Sequence, residues 1–221
     1  ARCFRDEDLR GNRQPEFTQI DLELSFTDPE EIFELTEGLM AKLFKEIMGL
    51  EIEKPFPRLT YKQAMEDYGS DAPDIRFELK LKDISDIASE CELRVFNEVV
   101  EKGGIVKAIC VPGGSEFSRK ELDDMTEFSK IYGAKGMAWI KSNQDGWQSP
   151  IGKFFTDGQK KKLEERVSLN QGDLVLFCAD KEKIVYDTLG NLRKEIARRR
   201  GMIDQNEFRF AWVTEFPLFE Y

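Results

Sequence analysis

Not one of the 221 residues is histidine, so the side chain most used for proton transfer and metal ligation near neutral pH is unavailable. That removes any Ser-His-Asp triad, any Cys-His nucleophile pair and any imidazole ligand for zinc. Cysteine is scarce as well. Cys3, Cys91, Cys110 and Cys178 stand far apart without a Cys-x-x-Cys pair, and read as separate thiols among apolar neighbours. No metal site is expected from such a set, and a cytoplasmic location is the default expectation. No apolar run approaches the roughly 20 residues that cross a bilayer, so no membrane association is expected, and no export signal is expected either. The chain opens on Ala1-Arg2-Cys3-Phe4 without an initiator methionine or a capping signal, as a segment cut from a longer protein would. Positive charge is in deficit, with 33 Lys and Arg against 43 Asp and Glu for a net charge of −10, which argues against a general nucleic-acid binder. Two local basic faces remain: Lys160-Lys161-Lys162, and Arg193-Lys194 with Arg198-Arg199-Arg200. The second sits where a helix should end before Gly201, so a solvated helix end is expected there rather than a nucleic-acid contact.

What is present is an ordinary globular composition, 40% hydrophobic and 34% charged, enough for one large or two small domains. Residues 15–26 alternate, with Phe17, Gln19, Asp21, Glu23 and Ser25 on one face and Thr18, Ile20, Leu22, Leu24 and Phe26 on the other. This predicts a strand with a polar front and an apolar back. A helix should follow, capped by Asp28, opened by Pro29 and Glu31, striped by Ile32, Leu35, Leu39, Leu43 and Ile47, and stopped at Gly49. Thr60 and Gln63 predict a capping box for a short helix that Gly69 closes. From about Phe77 a mixed α+β pattern begins. Strands are expected at Val95–Val100, Ile105–Val111, Met137–Lys141 and Leu174–Ala179. Helices are expected after Ser118 up to Gly133, over 157–167 and over 181–200. Gly103-Gly104 and Gly113-Gly114 read as turn residues, and Trp139 and Trp147 as packing residues. Phe208–Phe219 reads as a buried strand. The simplest organisation is a sheet-based domain (1–76 and 207–221) interrupted by an inserted α+β domain (77–206).

Phe4–Asp21 carries the densest chemistry. Folded as a hairpin around a polar loop, it could bring Arg5, Glu7, Phe17, Gln19 and Asp21 to one face. That face would offer a guanidinium for phosphate or carboxylate, an aromatic plane, and polar groups for donors. By patterning alone, a charged exposed hairpin is an equally good reading.

The sequence FRDEDLRGNRQPEFTQID at 4–21 resembles the second signature motif of the class II aminoacyl-tRNA synthetases, in the form found in bacterial aspartyl enzymes. Lysyl and asparaginyl relatives usually have histidine where Gln14 stands. The resemblance continues collinearly through PFPRLTYKQAMEDYGSDAPDIRF (55–77), VPGGSEFSRKELDDMTEFSKIYGAKGMAWIK (111–141), DGWQSPIGKFF (145–155) and FAWVTEFPLFEY (210–221). It implies an α+β fold: part of the antiparallel-sheet catalytic domain of that class, interrupted by the bacterial insertion (GAD) domain. It implies a ligase that activates aspartate with ATP and passes it to the 3′ end of a tRNA, with Mg2+ in the complete enzyme. Arg5 matches the catalytic arginine bridging the α-phosphate and the amino-acid carboxylate. Glu7 and Gln14 match ATP-contacting positions, and Phe17 the aromatic under adenine. Gln19 and Asp21 match groups beside the bound aspartate, and Arg10 and Arg13 the loop that meets the tRNA acceptor end. The partners implied are aspartate tRNA, with asparagine tRNA left open, and a second subunit in a homodimer. The family's first and third motifs are not present, so this chain alone is expected to be inactive. The alternative is a tRNA- or protein-binding module like that of tRNA-dependent amidotransferase subunits, which would lack the 4–21 hairpin.

Overall fold

A computed structural model of the chain describes residues 1–6 and 14–219. It resolves into two compact units, Ala1–Pro55 and Phe56–Tyr221, with α+β content throughout.

In the first unit, strand β1 (Arg2–Phe4) pairs antiparallel with β2 (Glu16–Thr18), and helix α1 spans Pro29–Leu43. The start signals of α1 act as read: the Asp28 side chain accepts the Glu31 amide and Pro29 opens the first turn. One π-helical turn, Phe44–Met48, extends it to Gly49, whose φ of 70° makes the left-handed stop. The strand expected over 15–26 is shorter than its pattern. It ends at Thr18, and Ile20, Leu22 and Leu24 of its apolar back are exposed. The ladder goes one rung further, where Gln19 exchanges backbone hydrogen bonds with Ala1, and among the described residues no strand pairs with 20–26. A strand without a neighbour leaves its amides and carbonyls to water. The apolar stripe of α1 is also largely uncovered, with Leu35, Leu39, Leu43 and Ile47 exposed.

The second unit is built on a five-stranded antiparallel sheet, ordered β4-β5-β8-β6-β7. In chain order its elements begin with β3 (Arg58–Thr60), α2 (Tyr61–Tyr68), β4 (Leu81–Asp83), α3 (Ser85–Glu90), α4 (Arg94–Glu101), β5 (Ile105–Val111) and α5 (Arg119–Ile131). They continue with β6 (Ala138–Asn143), β7 (Gly146–Gln148), α6 (Asp157–Val167), β8 (Leu174–Asp180), α7 (Glu182–Arg199) and β9 (Trp212–Thr214). Strand β8 shows why the sheet is covered on both sides. Leu174, Leu176 and Cys178 face a core shared with α5 and α7. Val175 and Phe177 face a second core shared with α3, α4 and α6. A nearly unbroken apolar run is what a doubly buried strand requires.

Two expectations fail in this unit. Val95–Val100 is helical, within α4, because Phe96 and Val100 recur at helical spacing toward the second core while Val95 and Val99 point elsewhere. The β-branched residues suggested a strand by propensity, and tertiary packing overrode it. Phe208–Phe219 contributes only β9, which pairs parallel with β3, and Phe216, Leu218 and Phe219 are exposed.

The basic run at the end of α7 also needs correction at its first residue. Arg193 is 1% exposed. Its guanidinium donates to the carbonyls of Asp74, Phe77, Glu78 and Leu79 and lies 4.2 Å from the Phe77 ring centroid and 4.9 Å from that of Tyr68. Burial pulls its pKa down to about 10, still far enough above neutrality to remain a cation. Arg198 and Arg199, by contrast, pair with Glu195 near the helix end. All four cysteines are free thiols; Cys91 and Cys178 are buried, Cys3 and Cys110 partly so. Among the described residues, no helix is long and apolar enough to cross a membrane.

Candidate functional site

The β1–β2 ribbon holds the side chains that the sequence singles out. Its register sets Arg2 opposite Thr18, Cys3 opposite Phe17 and Phe4 opposite Glu16, and the Arg5 amide closes the next rung on the Pro15 carbonyl at 2.9 Å. Because side chains alternate across a strand, Cys3, Arg5, Phe17 and Gln19 fall on one face. Arg2, Phe4, Glu16 and Thr18 fall on the other, where Arg2 and Glu16 form an exposed ion pair at 3.2 Å.

On the first face the Arg5 guanidinium carbon lies 5.3 Å from the Phe17 ring centroid, within cation–π range. Cys3 Sγ lies 3.2 Å from Gln19 Oε1 as a hydrogen-bond donor. Phe17 and Gln19 are half-buried while Arg5 is exposed. A planar ring, a guanidinium fork and an amide thus sit within one ribbon width. A ligand with an aromatic base and a nearby phosphate could engage ring and cation together, and a carboxylate could use the fork's second pair of donors.

Of the other expected residues, Gln14 is exposed just ahead of β2, and Asp21 is exposed beyond the last rung. Along β2 the paired face therefore stops at Gln19, since among the described residues no strand pairs across from Asp21. Glu7, Arg10 and Arg13 lie outside the described residues. Cys3 was missed as a member of the face, although its parity with Arg5 already placed it there. Among the described residues, no group of three or more Cys, Asp or Glu side chains converges tightly enough to hold a metal ion, so none is assigned to magnesium.

Residues 1–220 match the model of the family described as tRNA synthetases class II (D, K and N). The chain is 56% identical to the aspartate–tRNA(Asp/Asn) ligase of Desulfatibacillum aliphaticivorans and 55% identical to that of Desulfosudis oleivorans, in each case over 100% of this chain and 37% of the relative. It is 50% identical to the aspartate–tRNA ligase of Macrococcus caseolyticus, over 100% of this chain and 38% of the relative. It thus spans little more than a third of the length of these relatives, in one collinear block that begins in the ribbon. The chain belongs to the class II tRNA synthetases of the D, K and N group.

Proposed function

We propose that the chain is the part of an aspartate–tRNA ligase that presents the nucleotide- and aspartate-facing ribbon, together with the insertion domain. The observation that carries this reading is the shared face of Arg5, Phe17 and Gln19. In activation, an aspartate α-carboxylate oxygen attacks the α-phosphorus of ATP, the bond to the β-phosphate oxygen breaks, and pyrophosphate leaves with the electron pair. The product is aspartyl-adenylate. The attacking carboxylate is ionised at neutral pH, with a pKa of about 3.5, so no protein base is needed and a chain without histidine is suited to the step.

The residues' work is then positioning and charge neutralisation. Arg5 bridges the carboxylate and the α-phosphate, whose negative charge grows as the two approach. Phe17 stacks the adenine, with Glu7 and Gln14 at the nucleotide, and Gln19 and Asp21 hold the aspartate, Asp21 at its ammonium. Arg10 and Arg13 meet the tRNA acceptor end, whose terminal ribose hydroxyl then takes the aspartyl group. When bound, magnesium would neutralise the ATP tail.

In the complete protein this reading implies a cytoplasmic homodimer charging aspartate tRNA; the relatives' names include both the aspartate-only and the aspartate-and-asparagine form. The proposed division is 1–76 and 207–221 for the catalytic domain and 77–206 for the insert. Its support is that β3 and β9 pair in register, Arg58 with Trp212 through Thr60 with Thr214, as entry and exit strands of an inserted domain would. The ribbon itself speaks against a free-standing module related to the amidotransferase subunits.

The test is a chimera in which this chain replaces the matching 37% of the Desulfatibacillum aliphaticivorans ligase. Aspartate-dependent ATP–pyrophosphate exchange should be retained, and R5A should lower it about a hundredfold or more, the loss typical of one charge-stabilising donor. An active chimera indifferent to R5A would refute the assignment. The chain by itself should show no exchange above background.

A further inference from the structure

We propose that the second unit holds a binding site for a small amphipathic anion, an apolar body carrying one carboxylate or phosphate, in the cleft between α4 and the open edge of β8. None of the residues assigned to ATP, aspartate or tRNA lies in this cleft. Its volume is about 690 Å³, within the range that encloses a drug-sized ligand.

The cleft follows from the sheet. Strand β5 accompanies β8 as far as Asp180, but β6 joins β8 only at Ala138, opposite Phe177. Beyond Phe177 no strand among the described residues pairs with that side of β8, and the chain at Gly136 and Met137 lines the gap. Helix α4 forms the facing wall. Gly104 lets it come close: a Cβ there would sit 2.7 Å from the Asp180 carbonyl and 2.7 Å from Val99 Cγ1. This helix is apolar on more of its circumference than the core uses. Phe96 is buried, but Val95 is 62% exposed, and Val95 and Val99, one turn apart, both line the cleft.

The rim supplies charge. Lys102, Lys135 and Lys181 border the cleft with Glu98 and Asp180. Glu98 is already engaged by Arg94 at 2.5 Å, and Lys102 adds only a 3.7 Å contact to it. Asp180 accepts the Lys181 amide at 2.8 Å, and its contact with Lys135 is a loose 3.9 Å. Lys181 Nζ has no hydrogen-bond or ion-pair partner among the described residues. Three ammonium groups therefore face two carboxylates around an apolar floor, and Glu98 is further neutralised by Arg94 from outside the cleft, which leaves the rim with an excess of positive charge. An uncharged ligand would leave that cationic excess unused, and a cation would be repelled by it.

Titrating the 15N-labelled chain with octanoate, octyl phosphate and 1-octanol tests the site. Both anions should move the amide signals of Gly104, Gly136, Ala138 and Ala179, and 1-octanol should bind about threefold or more weakly, the scale of a partly solvated ion pair. The tighter of the two anions identifies the head group. Gly136 is the place to block the cleft, because an added Cβ meets nothing within 4 Å and its φ is not left-handed. G136F should weaken octanoate about tenfold. V95E, at an exposed position, should do likewise by charge repulsion and reads the site even if G136F folds poorly. Shifts clustered elsewhere, equal affinity for 1-octanol, or octanoate binding unchanged in V95E would each overturn the proposal.

Discussion

Arg193 shows how one residue can carry the join between distant parts of the chain. Four of its five N–H donors go to carbonyls of residues 74–79, including that of Leu79, which sits at a φ of 56°. R193M keeps much of the apolar bulk but strands those carbonyls in the core. We expect it to cost roughly 3 to 5 kcal/mol, since removing a buried charged donor leaves its partners desolvated and unpaired; a lower urea midpoint with an unchanged slope would show it. The sequence carried the signal: Arg193 stands four residues after Leu189 and three before Ile196, on the apolar face of α7, and the following run of basic residues obscured that.

Glu195 makes the opposite case, an interaction that pH can remove. Hydrogen bonds from Arg198 and then Arg199 hold its carboxyl down to about 2, against about 4.3 in an unfolded chain. The folded state thus binds this proton less tightly than the unfolded one. Its stabilising effect is complete above the unfolded value and fades as pH falls toward 2. The stability difference between the native chain and E195Q should therefore be larger at pH 7 than at pH 3. A difference independent of pH across that window would mean that the Arg198 and Arg199 contacts contribute nothing in solution.

At the scale of elements, local chemistry was legible wherever it alone decided the outcome. Asp28, Thr60, Ser118 and Thr156 all cap helices through their side chains, and the capping boxes at Thr60 and Ser118 could be read directly. What could not be read was whether a strand finds a neighbour, as at 20–26, or whether β-branched residues are drawn into a helix, as in α4. Helix–helix approach was equally hidden. A Cβ on Gly190 of α7 would meet the Gly69 carbonyl oxygen at 2.4 Å, whereas one on Gly38 of α1 would meet nothing within 4 Å. Helix propensity alone favours alanine by about 1 kcal/mol at either position. At Gly190 the clash is with backbone, which cannot swing aside, and overpacking of about 1 to 3 kcal/mol outweighs that gain. G190A should therefore lower the thermal midpoint of the second unit, while G38A should slow amide exchange in α1. If both substitutions stabilised, the close crossing of α2 and α7 would be refuted.

Across the whole molecule, apolar burial is unevenly shared. Every buried hydrophobic side chain among the described residues lies at or after Phe56, and both core clusters fall between residues 77 and 197. The first unit exposes Ile20, Leu22, Leu24, Leu35, Leu39, Leu43 and Ile47 instead. Stability per element should follow that division, because opening a segment that buries little apolar surface costs little. In native-state hydrogen exchange of the isolated chain, amides of β5, β8 and α7 should be limited by global unfolding, and those of α1 and the ribbon should exchange through local opening at much lower free energy. In the chimera with the Desulfatibacillum aliphaticivorans ligase, the same α1 and ribbon amides should gain protection while those of β5 and β8 change little. This distinguishes a surface meant to be covered from a marginal one. If α1 in the isolated chain were already as protected as β8, its apolar stripe would need no cover, and the ribbon that bears Arg5, Phe17 and Gln19 would rest on a unit stable by itself.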